Sequence, residues 1–285
     1  MSEKISLVDK KNYGQVKNWR WPKEGLTRIP DWVYTSDEIF KRERERIFFG
    51  PTWNFVALEA EIPKPGSYKR SYVGDVPVIV SRTAENAIHV FENRCAHRGL
   101  EFCRALRGEA KEFICPYHHW TYNMAGTLVS VPFRRGDKGK GGMPDHFEMS
   151  EHNPRQLKVE TRHGVVFATF EEKIESLEDY LGPENLEHFD VVFADRKLRI
   201  LGFYRNRLKG NWKLYHENLK DPYHATLLHV YLATFRMMVA GQKSAMIVDA
   251  TGRHATAASA KDDNIKINKE MVEEMKGAFR VGMDL

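Results

Sequence analysis

Between residues 52 and 92 the chain alternates short apolar stretches, rich in Val, Ile, Phe and Tyr, with clusters of Gly, Pro, Asn and Asp. Apolar runs separated in this way every 8–12 residues or so are typical of a small antiparallel sandwich or barrel. Further along the chain, the strongly apolar run Gly164–Phe170 predicts the last strand of the β domain. The predicted strands are Trp53–Leu58, Ser67–Val73, Val76–Ser81, Ala87–Glu92, Glu112–Ile114 and Gly164–Phe170.

The flanking segments favour a mixture of helix and strand. The side chain of Ser36 can cap a helix that reaches Phe49. The two acidic residues that follow Ser36 suit the positive N-terminal end of that helix. Alternating apolar and polar residues predict a long strand over Lys197–Leu208. A helical segment is predicted to begin at Asn211 and to reach about Thr234. The other predicted elements are the helices Ile174–Leu181, Pro183–Phe189 and Glu270–Phe279 and the strand Ala245–Asp249.

Composition narrows the class of protein. The 285 residues are 42% hydrophobic, which is enough to build a core and argues against disorder. A net charge of +5, from basic and acidic residues that are intermixed, does not indicate a nucleic-acid partner. No apolar segment has the length of a signal core or a membrane span, so we expect a cytoplasmic protein. Three cysteines in such a chain favour metal ligation over disulfides.

The first candidate site consists of two short arms that each carry one Cys and one His. Cys95-Ala-His97 is followed, after 17 intervening residues, by Cys115-Pro-Tyr-His118. Two thiolates and two imidazoles are the ligand set of a Rieske [2Fe–2S] centre, in which the Cys pair holds one iron and the His pair the other. Zinc is the alternative, although zinc arms usually pair like residues. Cys103 has no matching partner motif and is expected to be a small packing residue.

The second candidate site is Asp221, His224 and His229. Asp221 and His224 are three residues apart and could share a helix face. His224 and His229 are five apart, about 140° around an ideal helix, so a regular helix would not aim both at one metal. Either the helix is distorted there, as Pro222 suggests, or the two histidines are not a ligand pair.

Together these motifs resemble the large (α) subunits of Rieske non-haem iron aromatic-ring hydroxylating oxygenases. The resemblance covers about Trp32 to His254 and is most similar to the salicylate 5-hydroxylase and anthranilate dioxygenase type. It implies an α+β fold: an antiparallel β Rieske domain inserted in an α/β, helix-grip-like catalytic domain that is incomplete at its C-terminus. It rests on Cys95–Gly99 (C-x-H-R-G), Cys115–Trp120 (C-P-Y-H-x-W), Asn211–Lys213 (N-W-K) and Glu217–His229 (E-N-x₂-D-x-Y-H-x₄-H).

The resemblance also implies a domain division and an activity. We expect an N-terminal arm over 1–40, the Rieske domain over 41–171, and the first part of the catalytic iron domain over 172–285. The activity implied is hydroxylation of an arene, carboxylated in the closest types, during aromatic catabolism. It would use O₂ and electrons from NADH that arrive through a reductase or ferredoxin. A small β subunit and an α₃ or α₃β₃ assembly are the expected partners.

Within that family resemblance, His224 and His229 are expected to be two legs of a 2-His-1-carboxylate site for Fe(II). Asp221 is expected to be the catalytic aspartate that bridges this site to the cluster of a neighbouring subunit. The family's third iron ligand is an aspartate far downstream, and no acidic residue before Leu285 stands in a matching context. We therefore expect the chain to be truncated and its iron site to be incomplete.

Two other functions fit the same motifs. One is a Rieske electron carrier with an appended domain, although such a carrier needs no second iron motif. The other is a truncated, non-catalytic relative that keeps the cluster. Among positive residues, Arg205 or Arg207 could hold a substrate carboxylate, but ordinary surface charge is the simpler interpretation.

Overall fold

The computed structural model describes residues 20–221, 224, 228–229 and 244–259. Its helices are α1 (Trp32–Thr35), α2 (Asp37–Glu43), α3 (Leu177–Phe193) and α4 (Trp212–Lys220), with a π-helical turn at Arg44–Phe48 and 3₁₀ turns at Gly25–Thr27, Glu59–Glu61 and Met149–His152. Its strands are β1 (Asn54–Leu58), β2 (Ser67–Val73), β3 (Val76–Arg82), β4 (Ile88–Glu92), β5 (Arg107–Glu109), β6 (Glu112–Ile114), β7 (Thr121–Asn123), β8 (Leu128–Ser130), β9 (Gln156–Arg162), β10 (Val165–Thr169), β11 (Ser244–Val248) and β12 (Ala255–Ser259).

A seven-stranded antiparallel sheet forms the body of the first compact unit, residues 37–182 and 189–205. Its strand order is β1-β10-β9-β4-β3-β2-β5. The central strand β3 is buried on both faces, because successive side chains point to opposite sides. Val78 and Val80 enter one apolar core, whereas Ile79 enters another. The sheet therefore separates two cores, and the second of them contains the candidate cluster cysteines.

A second, three-stranded sheet (β6-β7-β8) packs in that second core. Phe113 on β6 pairs with Tyr122 on β7, and both are buried. The hydroxyl of Ser81 on β3 donates to the carbonyl of Met124, just after β7, and links the two sheets. This small sheet is the support of the second metal-binding arm, since residues 115–120 connect β6 to β7.

The other compact unit comprises, among the described residues, 20–36, 183–188, 206–221, 224, 228–229 and 244–259. Asn211 caps α4, its side chain accepting a hydrogen bond from the backbone N–H of Lys213 at 3.0 Å. The strands β11 and β12 form an antiparallel hairpin in which Met246 is paired with Ala257. No helix in the described part of the chain is long and apolar enough to cross a lipid bilayer.

Several predicted elements are observed with small shifts at their ends, but one prediction is wrong. Residues 197–208 do not form a strand. Leu201 and Tyr204 are 91% and 89% exposed, so the alternating pattern there has neither a ladder partner in the described chain nor a core to face. The two helices predicted after Ile174 are observed within α3, where the non-helical backbone of Gly182, φ 72° and ψ 160°, separates them. The helix predicted over Glu270–Phe279 lies outside the described residues.

Candidate metal centres

The first arm leaves the end of β4 and is held by a buried asparagine. Asn93 is fully buried, and its side chain donates to the carbonyl of Cys103 at 2.7 Å and accepts from the N–H of Cys103 at 3.0 Å. Its own N–H donates to Pro77 on β3. Because these bonds join both ends of the loop to the sheet, Cys95 and His97 project from a fixed base.

Both arms close in the same way. In each, the Cys N–H donates 2.9 Å to the carbonyl five residues on, Leu100 in the first arm and Trp120 in the second. The N–H four residues after the Cys donates back to the Cys carbonyl. That fourth residue has a left-handed backbone in both arms, Gly99 with φ 73° and His119 with φ 56°. Two unrelated sequences thus form the same turn, each presenting one thiol and one imidazole.

The structure brings the four predicted donors together as two pairs. Cys95 and Cys115 are buried in the same apolar core, where Cys115 contributes to raising the pKa of the Cys95 thiol after burial. The rings of His97 and His118 are 4.5 Å apart between centroids. Among the residues that the structure describes, no three His, Cys, Asp or Glu side chains converge on a single point. Two pairs fit a two-iron cluster, in which each iron takes two protein ligands.

An unpaired nitrogen supports this fit. Nδ1 of His118 is buried and has no hydrogen-bond partner, whereas buried polar atoms normally have one. A bond from this nitrogen to a metal would satisfy it. Burial lowers the pKa of His97, and neighbouring His118 and Arg98 lower it further. The imidazole is therefore held in the neutral form that binds metals.

The surroundings of the Cys pair are apolar except for one hydroxyl. The Tyr122 hydroxyl donates to Sγ of Cys95 at 3.3 Å and accepts from the backbone N–H of Ala96 at 3.0 Å. Burial raises the pKa of Tyr122, and the nearby Cys95 sulfur adds to this, so the hydroxyl keeps its proton as a donor. Burial also raises the pKa of the Cys95 thiol, while the Tyr122 bond opposes that shift. Sequence reasoning missed Tyr122, because 27 residues separate it from Cys95.

The other residues singled out near the cluster motif have distinct positions. Trp120 is buried and stacks on His97, with centroids 4.9 Å apart and planes 12° apart. Arg98 lies over the ring of Tyr117 on the exposed side. His119 contributes its left-handed backbone to the turn. Cys103 is buried, as expected of a packing residue, and its thiol donates to the carbonyl of Ala105 at 3.6 Å.

The second candidate site follows the end of α4. The helix stops at Lys220, and Asp221 has extended backbone angles, φ −96° and ψ 98°. The N–H of His224 points to the Asp221 carboxylate at 3.4 Å, and Nδ1 of His224 is 3.8 Å from Oδ2 of Asp221. Nε2 of His224 is 3.2 Å from Nε2 of His229. Two imidazole nitrogens have about this separation when both lie roughly 2.1 Å from one metal ion.

The backbone at His229 explains how histidines five apart can meet. The 140° separation applies only within one continuous helix, and His224 and Leu228 have helical backbone whereas His229 does not. Among the described residues, no third His, Cys, Asp or Glu joins the pair to complete a metal site. Asp249 is engaged elsewhere, with the Thr251 hydroxyl and the His254 N–H. Asp262, Asp263 and Asp284 lie outside the described residues.

The N-terminal arm holds the helix that leads to this site. The Tyr34 hydroxyl donates to the Glu217 carboxylate, 2.8 and 2.9 Å from its two oxygens. The side chain of Asn211 donates to the Tyr34 carbonyl at 2.8 Å. Desolvation and then Glu217 raise the pKa of Tyr34 to about 12, so the hydroxyl remains a donor. The motif residues Asn211 and Glu217 thus fix α4 to α1, a role that their spacing did not reveal.

Comparison with known proteins decides what the first site is. Residues 52–139 match the model of the Rieske [2Fe–2S] domain, which settles the choice between the cluster and zinc. The chain is 50% identical over 257 residues to the large oxygenase component of salicylate 5-hydroxylase from a Ralstonia species, covering 89% of this chain and 60% of that protein. It is 45% identical to the large subunit of anthranilate 1,2-dioxygenase from Burkholderia cepacia, covering 86% and 60%. Residues 52–139 belong to the Rieske [2Fe–2S] domain family, and the chain is similar to the large subunits of ring-hydroxylating oxygenases.

The fold of this Rieske chain agrees with that similarity. It superimposes on the crystal structure of naphthalene 1,2-dioxygenase from a Rhodococcus species with a TM-score of 0.72 and 28% identity, covering 90% of this chain and 60% of that one. The α+β class and the antiparallel Rieske domain are therefore confirmed. The chain spans about 60% of the length of the curated relatives it matches. The domain boundaries predicted after residues 40 and 171 stay a prediction. For comparison, one compact unit of the structure consists of residues 37–182 and 189–205.

Proposed function

We propose that this chain acts in the terminal oxygenase component of a multicomponent aromatic-ring hydroxylase. The component would use O₂ and electrons that originate from NADH and arrive through a ferredoxin or reductase. Its substrate would be a carboxylated arene, the class that the names of the salicylate and anthranilate relatives indicate. The observation that carries the proposal is the presence, in one chain, of the Rieske donor set and of a second imidazole pair 3.2 Å apart.

In the Rieske unit, Cys95 and Cys115 would hold one iron and His97 and His118 the other. When bound, the cluster would take up and release one electron at a time. The protein keeps the thiols in an apolar core and leaves both imidazoles half-buried, so their outer edges are the natural entry for an electron. Trp120 stacks on His97 and shields that side from water.

In the second unit, His224 and His229 would hold Fe(II), with a carboxylate as the third protein ligand. That iron would supply the site at which O₂ is reduced beside the arene. Asp221 is exposed, and its carboxylate oxygen Oδ2 lies 3.8 Å from Nδ1 of His224. This supports the role of a bridge to the cluster of an adjacent large subunit, in an α₃ or α₃β₃ assembly with a small β subunit.

Metal analysis of anaerobically reconstituted protein tests the proposal. We expect three irons and two acid-labile sulfides per chain, and the EPR signal of a reduced Rieske cluster after dithionite. Two irons and two sulfides in the wild-type protein would instead favour an electron carrier or a non-catalytic relative. Colourless protein without sulfide would refute both sites.

Variants separate the two centres. Replacing His224 and His229 together with alanine should remove one iron per chain and leave the sulfide content and the cluster EPR signal unchanged. The exposed His146 provides a matched control. Its replacement with alanine should change neither the iron content, nor the sulfide content, nor the cluster EPR signal. Loss of the cluster signal in the double variant would show that these histidines do not form a separate iron site.

A further inference from the structure

A cavity of about 220 Å³ lies between the last turn of α4 and the β11–β12 hairpin. His216 and Lys220 are four residues apart on α4, so their side chains share the face that lines the cavity. On the hairpin, Met246 and Ala257 are paired directly across the two strands and line the opposite wall. Small alanine side chains on that wall leave the space open.

The polar part of the lining is entirely basic. His216, Lys220, Arg253 and His254 line the cavity, and no carboxylate lines it in the described part of the chain. Two acidic residues lie nearby without lining the cavity. The Asp249 carboxylate accepts hydrogen bonds from the His254 N–H and the Thr251 hydroxyl. Glu217 is next to His216 on α4, and its charge partly opposes the lowering of the His216 pKa.

On the α4 side of the cavity, the positive charge of Lys220 lies beside apolar side chains. Burial lowers the pKa of His216, and the nearby Lys220 lowers it further, which shows that the two side chains share one electrostatic environment. Leu219 and Met246 provide apolar contact beside them. Lys220 also directly precedes Asp221, so the cavity lies at the same end of α4 as the proposed iron ligands. An anionic group attached to a flat apolar body matches this combination.

We propose that this cavity is a carboxylate-binding subsite for a single-ring aromatic acid, with the carboxylate at Lys220 and Arg253 and the ring against Leu219 and Met246. The proposal rests on the proposed function and names the part of the site that selects the substrate. The volume is below the range of about 300–1,000 Å³ of pockets for drug-sized ligands, which favours one ring over several. The sequence-based candidates Arg205 and Arg207 are exposed and do not line this cavity.

Binding measurements without turnover test this subsite. Benzoate, its neutral analogue benzamide and inorganic phosphate are titrated by calorimetry into the cluster-loaded protein. We expect benzoate to bind at least tenfold more tightly than benzamide. Replacement of Lys220 with methionine should weaken benzoate about tenfold or more and leave benzamide unchanged, because it removes a charged hydrogen-bond donor and keeps the aliphatic stem. Lys220→Arg should restore most of the affinity.

Lys209→Met is the matched control, since Lys209 carries the same charge just before α4 and does not line the cavity. Arg253→Gln, in the hairpin turn, should weaken benzoate as well and replaces Lys220→Met if that variant unfolds. Equal binding of benzoate and benzamide, displacement of benzoate by equimolar phosphate, or an equal loss in Lys209→Met would overturn the subsite. None of these results depends on iron or oxygen, so a missing third iron with intact benzoate selectivity would refute only the proposed function.

Discussion

Replacing Tyr122 with phenylalanine removes one hydroxyl from the interior of the Rieske unit and keeps the aromatic ring. The ring is fully buried and stacks on Phe102, with centroids 4.8 Å apart, so the apolar packing is preserved. The change deletes the hydrogen bond to Sγ of Cys95 and the acceptor of the Ala96 N–H. Because the reduced cluster carries one more negative charge, it loses more stabilisation than the oxidised cluster does. The reduction potential should therefore fall.

The size of the fall follows from the strength of the bond. A hydrogen bond to a charged acceptor contributes about 1.5–3 kcal/mol, and it is present in both oxidation states. If the added electron strengthens it by about a third to a half, the difference between the two states is about 1 kcal/mol. For one electron, a tenfold change in the equilibrium constant is about 59 mV, so 1 kcal/mol corresponds to about 40 mV. We expect the reduction potential to decrease by about 20–60 mV. This change is small beside the range of Rieske reduction potentials, roughly −150 to +300 mV.

An EPR-monitored redox titration measures the potential, and the chain offers a matched control. Tyr68 is a second phenol near a cysteine: Cys103, which is not a predicted ligand, raises the pKa of Tyr68 in addition to burial. Tyr68→Phe should lower stability slightly and leave the potential unchanged. An unchanged potential in Tyr122→Phe, or an equal decrease in both variants, would refute the argument that the Tyr122 hydroxyl acts on a cluster ligand.

Three further predictions concern the scaffold of the cluster arms and the sheet. Gly99→Ala should lower the free energy of unfolding by about 1–2 kcal/mol in urea titrations. The cost is purely conformational, because φ is 73° and an added Cβ meets no atom within 4 Å. As a control, Gly202→Ala lies in an exposed segment without a left-handed φ and should change the free energy of unfolding by less than about 0.5 kcal/mol. Asn93→Ala should lower it by about 2–4 kcal/mol, since two loop backbone groups lose their partners in the core, and a loss below about 1 kcal/mol would contradict the role given to this side chain. The hydrogen bond with Arg162 lowers the pKa of Asp190 below its ordinary 3.8, so the stabilisation is complete above that pH and is lost as the pH falls through the folded-state pKa. In Asp190→Asn, the midpoint of unfolding should therefore decline less steeply below pH 4 than in the wild-type protein. An unchanged decline would show that the Asp190–Arg162 pair does not contribute to stability.

Elements with strong local signals agree with the structure almost residue by residue. The strands at Ser67–Val73 and Glu112–Ile114 have the predicted ends, because β-branched and aromatic runs between turn residues favour strands locally. Among the described residues, five strands were missed. Of these, β5, β7 and β8 have three residues each, too few to show a period of two, whereas β9 and β12 are longer and were missed as well. The strand predicted over residues 197–208 failed for the opposite reason: its alternation is present, but a strand also needs a neighbour to pair with.

The chemistry of the donors was determined by the sequence alone. Thiol and imidazole ligands are properties of single residues, and the spacing within each arm is short enough to be read directly from the chain. Only the tertiary structure decided which groups surround those donors. Tyr122 reaches Cys95, and Tyr34 reaches Glu217, across 27 and 183 residues, because sheet order and helix packing bring distant segments together. The meeting of His224 and His229 was likewise decided by the structure, because His224 has helical backbone and His229 does not, and one regular helix would have kept them apart.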